Sequence, residues 1–164
     1  MIGGDALQCD NSDQTCDVSS ELSPIAAQNG LLHHLGFVVA SIPKAAEQFA
    51  LITGTSWNGK VVHDPLQRVY VSFLAPQNSR NPMFELVEPA GDTSPVSNLV
   101  KKGGGLHHVC YEVDDLDQAL CDAKACGLAV VSAPQPAVAF DGRRIAWVCS
   151  RNRLLMEFLE REKK

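Results

Sequence analysis

Two histidines and two glutamates, recurring as matched pairs, are the side chains of this sequence best placed to do chemistry. His34 stands in Leu32-His33-His34-Leu35-Gly36-Phe37-Val38-Val39. His108 stands 74 residues later in Leu106-His107-His108-Val109-Cys110-Tyr111-Glu112-Val113. Glu85, in Phe84-Glu85-Leu86-Val87-Glu88, is matched 72 residues later by Glu157 in Met156-Glu157-Phe158-Leu159-Glu160. Neutral imidazole plus carboxylate is a donor set for a borderline divalent cation: zinc, nickel, cobalt, manganese or ferrous iron. Four protein ligands, His34, Glu85, His108 and Glu157, would leave two octahedral positions for water or substrate oxygens, and open positions mark a catalytic site rather than a structural one. Any one of these residues alone reads as an ordinary strand residue. The symmetric quartet is what points to one bound divalent metal ion.

The quartet can act only if its elements bring it together, and the internal repeat predicts how they do so. Each repeat reads as a strand, a helix and three further extended segments. In the first these are 32–39, a helix over 43–53, then 57–63, 67–75 and 82–88; in the second, 106–113, a helix over 115–126, then 128–133, 143–149 and 154–160. Asp114 or Asp115 is suited to cap the second helix. Pro43 sits where a first-turn proline is tolerated, and Gly54 and Gly127 mark the helix ends. The predicted fold class is α+β: two βαβββ modules pairing curved, mostly antiparallel sheets around a concave cleft, each with a helix on its back. Alternation of side chains puts His34, Gly36 and Val38 on one face and Leu35, Phe37 and Val39 against the helix. His108, Cys110 and Glu112 share the equivalent face in the second repeat. Apolar neighbours on the other face place Glu85 and Glu157 on the concave side too. By the same count His33 and His107 fall on the opposite pleat, and Glu88 and Glu160 are solvated strand ends.

The expected organisation is a polar N-terminal tail over 1–30 and a single domain over 31–160, made of repeats 31–92 and 105–160. Lys101-Lys102-Gly103-Gly104-Gly105 joins them. Its glycines lack the GxxxxGK[ST] pattern and precede a strand, so they read as a connector rather than a phosphate loop. The length of 164 residues fits one domain, with enough chain to bury a core without disulfides. The net charge of −5 comes from Asp5, Asp10, Asp13, Asp17 and Glu21; the rest of the chain balances 14 acidic against 14 basic side chains. No basic stripe exists for a nucleic-acid backbone, and no apolar run approaches the roughly 18 residues of a membrane span. The first basic residue is Lys44 and no apolar segment follows Met1, so neither a secretory signal nor an Arg-rich presequence is expected, and a cytoplasmic location is. The 6 cysteines lack paired zinc-finger spacing and are expected to be reduced, behaving as small hydrophobes; a Cys9–Cys16 bridge would need oxidising conditions.

The motifs quoted above, together with Ser94-Pro95-Val96 and the extension of the second repeat from Gly105 to Asp115, resemble the vicinal oxygen chelate superfamily of glyoxalases, bleomycin-resistance proteins and extradiol dioxygenases. The resemblance covers residues 31–160 and is closest to the methylmalonyl-CoA epimerases. It implies a divalent metal on the concave face that binds two vicinal oxygens of an enolate or enediolate, with His34, Glu85, His108 and Glu157 as ligands. Epimerases often carry Gln where Glu85 stands and glyoxalase I enzymes carry Glu, so a glyoxalase I quartet sits in an epimerase-like frame. A catalytic glutamate of epimerases falls in the strand matching Arg68–Ala75, where Val71 stands here. Epimerisation needs an acid/base group on each face of a carbon, each worth roughly 10²–10⁴ in rate, and valine cannot serve.

What the resemblance then implies is proton transfer by a metal-ligand carboxylate, with Glu157 and its symmetry mate Glu85 as catalytic residues and the metal as Lewis acid. Arg144, in phase with Ala146 and Val148, is expected to point into the cleft and hold a carboxylate or phosphate, with Arg143 on the other face. Glu112, on the pleat of His108, is the carboxylate available as a substitute base, and Gln67 is a further substrate contact. The expected activity is a metal-dependent isomerase or lyase of the epimerase or glyoxalase I type, acting on a small-molecule thioester or hemithioacetal, in a homodimer. The competing readings are a drug-sequestering binding protein and a ferrous-iron extradiol-type dioxygenase, against which Glu85 stands as a fourth ligand.

Overall fold

A computed structural model describes residues 23–78 and 81–162. Most of the predicted tail, with Cys9 and Cys16, lies outside the described residues. The part that is described is not loose: a short helix α1 (Pro24–Ala27) packs Ile25 against the second half of the molecule, and Asn29 donates to Asp114 at 2.9 Å.

The first half then runs β1 (Leu31–Val38), α2 (Ile42–Thr53), β2 (Thr55–Trp57), β3 (Val62–Asp64), β4 (Val69–Pro76) and β5 (Met83–Pro89). A one-turn helix α3 (Ser97–Lys101), which the sequence pattern did not predict, leads to the second half: β6 (Gly105–Val113), α4 (Leu116–Ala125), β7 (Ala129–Pro136), β8 (Arg144–Cys149) and β9 (Leu155–Glu160). The predicted segment 57–63 is split into β2 and β3, which both pair with β4. The other strands and both long helices lie within a few residues of their predicted bounds.

The strands form one sheet in the order β2-β4-β5-β1-β6-β9-β8-β7, with β3 beside β4. The order is palindromic in the repeats. β1 pairs in parallel with β5 and β6 with β9, and the halves meet where β1 pairs antiparallel with β6. Each half therefore mixes one parallel pairing with antiparallel ones, and the two modules make a continuous curved sheet of the α+β class.

One face of the sheet is covered by helices. Ile42 and Ala46 of α2 pack with Leu74, Leu86, Phe37 and Phe49. Leu116, Ala119, Leu120 and Ala123 of α4 pack with Ala146, Val148, Met156 and Phe158. The helix ends follow the sequence signals: Pro43 lies in the first turn of α2 and Gly54 ends it at φ 65, and Asp115 caps α4 by accepting from the Gln118 amide at 3.0 Å. Glu88 and Glu160 are not solvated strand ends. Glu88 accepts from the Ile42 amide at 2.6 Å, satisfying one orphan donor at the start of α2, and Glu160 accepts twice from Arg144. Among the described cysteines, Cys110, Cys126 and Cys149 are free thiols. Cys121 is disulfide-bonded, which corrects the expectation that every cysteine is reduced.

Candidate metal centre

The other face carries the four predicted groups, and the pairing register brings them to one point. Gly36 of β1 lies opposite Glu85 of β5 and opposite His108 of β6. Cys110 lies opposite Glu157 of β9 and opposite His34. The His34 and His108 Nε2 atoms face each other at 3.0 Å. Glu85 Oε2 is 3.4 Å from His34 Nε2 and 3.2 Å from His108 Nε2. Glu157 Oε2 is 3.3 Å and 3.6 Å from the same two atoms. All four side chains are buried.

This spacing suits donors around one ion as well as hydrogen-bonded partners. Ligands bonded at 2.0–2.2 Å to a common cation lie roughly 3.0 Å apart in cis octahedral positions and roughly 3.4 Å apart in tetrahedral ones. Glu157 Oε2 is buried with no hydrogen-bond partner, and a buried carboxylate oxygen left unsatisfied costs several kcal/mol unless a cation or donor meets it. Two imidazoles and two carboxylates suit a borderline divalent ion, so the donor set fits the group expected from the sequence.

The electrostatics of the metal-free cluster agree. Burial by itself would pull the His34 imidazole down, but the charge of Glu85 and contacts with Glu157 and Glu85 outweigh it and raise the group to about 9. Burial by itself would push the Glu85 carboxyl up, yet His34 and His108 hold it well below the usual carboxylate range. In the absence of an ion, a proton on His34 supplies the positive charge that the two glutamates need.

His33 and His107 do not occupy the opposite pleat. The register of β1 against β6 slips between Leu32 and His34 and slips back between Gly36 and Phe37. His33 is thus the extra residue of one β-bulge and His107 the extra residue of its symmetry mate. A bulge puts two residues of one strand against one of its partner and re-aims the extra side chain. His33 Nδ1 lies 2.9 Å from His34 Nδ1, and His107 Nδ1 lies 3.0 Å from His108 Nδ1. Burial, then the neighbouring ligand histidine, lowers both His33 and His107 to about 4. The sequence did hold a sign of this. A tandem His-His breaks the alternation at the same place in both repeats.

Aromatic rings enclose the cluster. Phe73, opposite Glu85 in the β4–β5 pairing, meets His34 edge-on at 5.6 Å. Trp147, opposite Glu157 in the β8–β9 pairing, meets His108 edge-on at 4.8 Å. Above them opens a cavity of about 290 Å³, with Glu85, His108 and Glu157 at its base and Val69, Val71 and Val87 in one wall. Gln67, expected as a substrate contact, lines this cavity. Val71 is buried in the apolar cluster of that wall, so the β4 side of the cleft presents no acid or base at that place.

Arg144, expected to hold substrate, and Glu112, expected at the substrate as a substitute base, are elsewhere. Arg144 is in phase with Ala146 and Val148, but that row packs under α4. Arg144 itself pairs with Glu160 at 2.7 Å and with Asp117 of α4 at 3.0 Å. The cleft row of β8 is the other one: Trp147 lines the cavity, and Arg143 pairs with Glu112 at 2.7 Å with its guanidinium 5.5 Å from the Phe140 ring. Glu112 is held by that pair and by Arg161 at 3.3 Å. It does not line the cavity, which removes it as a substitute base.

Comparison with known proteins agrees with this architecture. Residues 33–147 match the Glyoxalase/Bleomycin resistance protein/Dioxygenase superfamily. An ethylmalonyl-CoA/methylmalonyl-CoA epimerase of Cereibacter sphaeroides is 30% identical over 121 residues, covering 73% of this chain and 87% of that one. The mitochondrial methylmalonyl-CoA epimerase of Bos taurus is 34% identical over 105 residues, 63% of this chain and 58% of that one. A variant of the Streptomyces coelicolor methylmalonyl-CoA epimerase, solved in complex with 2-nitronate-propionyl-CoA, superposes with a TM-score of 0.67 at 22% identity over 80% of this chain and 97% of that one. The chain belongs to the glyoxalase, bleomycin-resistance and dioxygenase superfamily, and the relatives it resembles include methylmalonyl-CoA epimerases.

Proposed function

We propose that this chain is a divalent-metal-dependent isomerase that moves the α-proton of a carboxyacyl-CoA thioester of the methylmalonyl-CoA kind. The observation that carries the reading is that His34 Nε2 and His108 Nε2 lie 3.0 Å apart at the base of the cleft, with Glu85 Oε2 and Glu157 Oε2 each 3.2–3.6 Å from both, and that His34, His108 and Glu157 are close enough together to hold one ion. The resemblance to relatives that are epimerases of this substrate class supports the choice of substrate.

The four residues would hold the ion, which would supply a Lewis acid for negative charge on substrate oxygens. The chain does the rest. Glu157 is the base. Its Oε2 is buried and makes no hydrogen bond in the metal-free cluster, so only its bond to the ion would have to be given up for it to take a proton at the base of the cleft. Glu85 is its counterpart across the pseudo-twofold axis. The valine wall and the rings of Phe73 and Trp147 keep bulk water from the cluster, which strengthens electrostatic stabilisation.

One observation favours a second reading, proton transfer on a single face as in a glyoxalase I acting on a hemithioacetal: the cleft side of β4 offers Val69 and Val71 where a second base would stand. One experiment separates the two. The zinc-, cobalt- or nickel-loaded protein is incubated in deuterium oxide with (2R)-methylmalonyl-CoA and, separately, with the glutathione–methylglyoxal hemithioacetal. Epimerase activity gives deuterated product of both configurations. A one-faced enzyme gives product only from the hemithioacetal. A protein that binds none of these metals and exchanges neither substrate refutes both.

A further inference from the structure

We infer that His33 and His107 are positioning residues, each accepting at its own Nδ1 a hydrogen bond from the Nδ1–H of the adjacent ligand imidazole, so that His34 and His108 are held with Nε2 aimed at the centre. The inference rests on the reading of the cluster as a metal site. It concerns residues outside the quartet.

Chemistry requires such a partner. An imidazole that offers a lone pair at Nε2 must carry its proton on Nδ1, and that proton needs an acceptor, which in metal sites is ordinarily a carboxylate, a backbone carbonyl or a water. Here the atom at 2.9 Å from His34 Nδ1 is His33 Nδ1, and the atom at 3.0 Å from His108 Nδ1 is His107 Nδ1. Two nitrogens at this distance share one proton. One donates and the other accepts, and the acceptor ring carries its own proton on Nε2.

The backbone is built for the contact. In a regular strand adjacent residues point to opposite faces and cannot touch ring to ring on one side. Each pair meets because the register slips by one residue at His33 and at His107. The slips are related by the same symmetry that relates the ligands. Each positioning ring is itself braced: Phe140 meets His33 edge-on at 5.5 Å, and Trp147 meets His107 at 5.9 Å.

His33, His34 and Cys110 also lie close enough together to hold an ion of their own. The symmetry argues against that use. Gly36 stands where Cys110 would be needed in the other half, so the feature the halves share is the histidine pair and not a second donor cluster.

The test replaces each residue by Leu, which fills the space without an acceptor, and by Asn, whose side-chain oxygen reaches about where Nδ1 was. Zinc affinity of the full chain is measured by competition with a chelator, and the ring nitrogens are followed by ¹⁵N NMR. His33→Leu and His107→Leu should each weaken zinc binding roughly 10–100-fold and release the Nδ1 proton of the adjacent ligand to fast exchange. His33→Asn and His107→Asn should restore most of the affinity and the protected proton. Leu variants that match wild type in affinity and in Nδ1 protection overturn the inference, and so do Asn variants as weak as Leu. If the Leu variants do not fold, the Asn variants and the wild-type spectrum decide it: an unprotected Nδ1 proton on His34 and His108 overturns it. Protected protons in a wild-type chain that binds no zinc would instead refute the metal reading and leave the positioning intact. Zinc bound through Nδ1 would do the reverse.

Discussion

Gly36 and Cys110 occupy equivalent places in the two halves, each two residues beyond a ligand histidine, and they treat the facing half differently. A Cβ on Gly36 would stand 2.0 Å from the His108 ring, so the ring of one half lies in space that the other half has left empty. Cys110 fills the matching space beside His34. Burial first, then the charge of Glu157 and a hydrogen bond to it, push the Cys110 thiol well above its usual range, so it stays protonated against that carboxylate. Two glutamates that duplication made alike are therefore unlike in surroundings. A pseudo-symmetric shell thus places four like side chains, and departures from symmetry in the row behind it give the two carboxylates different neighbours.

The comparison is tested first at its extremes. Gly36→Ala should displace the His108 ring, abolish zinc binding at micromolar free metal and cost about 1–3 kcal/mol of stability through overpacking. Cys110→Ala should keep zinc binding and cost about 1 kcal/mol. Equal losses in both, read by chelator competition and thermal unfolding, would erase the distinction. Next, Glu157→Gln should slow solvent-deuterium incorporation by about 10²–10⁴, with Glu85→Gln affecting zinc affinity more than exchange. Equal effects of the two on exchange would mean the glutamates are interchangeable.

Proton linkage gives a third test. His34 carries a proton up to about 9 in the metal-free chain, and zinc must displace it. Zinc affinity should rise about tenfold per pH unit below that value and level off above it; the same raised group makes the metal-free cluster more stable below pH 6.5 and less so as pH climbs toward 9. A smaller contrast lies in the helices. Asp115→Ala removes a side-chain cap and should cost about 1 kcal/mol, whereas Ser41, which makes no such bond at the start of α2, should tolerate Ala. Smallest of all, Arg144→Gln removes half-exposed ion pairs on the helix face, worth less than about 1 kcal/mol, and should leave proton exchange unchanged.

The placement of His34, Glu85, His108 and Glu157 on one face was legible because two independent regularities agree on it: alternation assigns a face, and duplication repeats the assignment. The helix limits at Gly54, Asp115 and Gly127 were legible because their signals are local. What was not legible depends on pairing across strands. The bulges at His33 and His107 exist only relative to the facing strand, so counting residues along one strand assigned the wrong side. Arg144 was placed correctly in phase with Ala146 and Val148, but which face that row takes is decided by Trp147 lying opposite Glu157 and by small Ala146 fitting beneath α4. The bond at Cys121 was equally out of reach, since a disulfide joins residues that fold together and not residues that are near in sequence.

The central claim is that the duplicated histidine–glutamate pairs share a single cation. Equilibrium dialysis of the full chain against zinc, followed by elemental analysis, tests it most directly. The account predicts one tightly held zinc per chain in the wild type and none in the His34→Ala, His108→Ala double variant at the same free zinc. A wild type that holds no zinc, or a double variant that holds as much as the wild type, contradicts it.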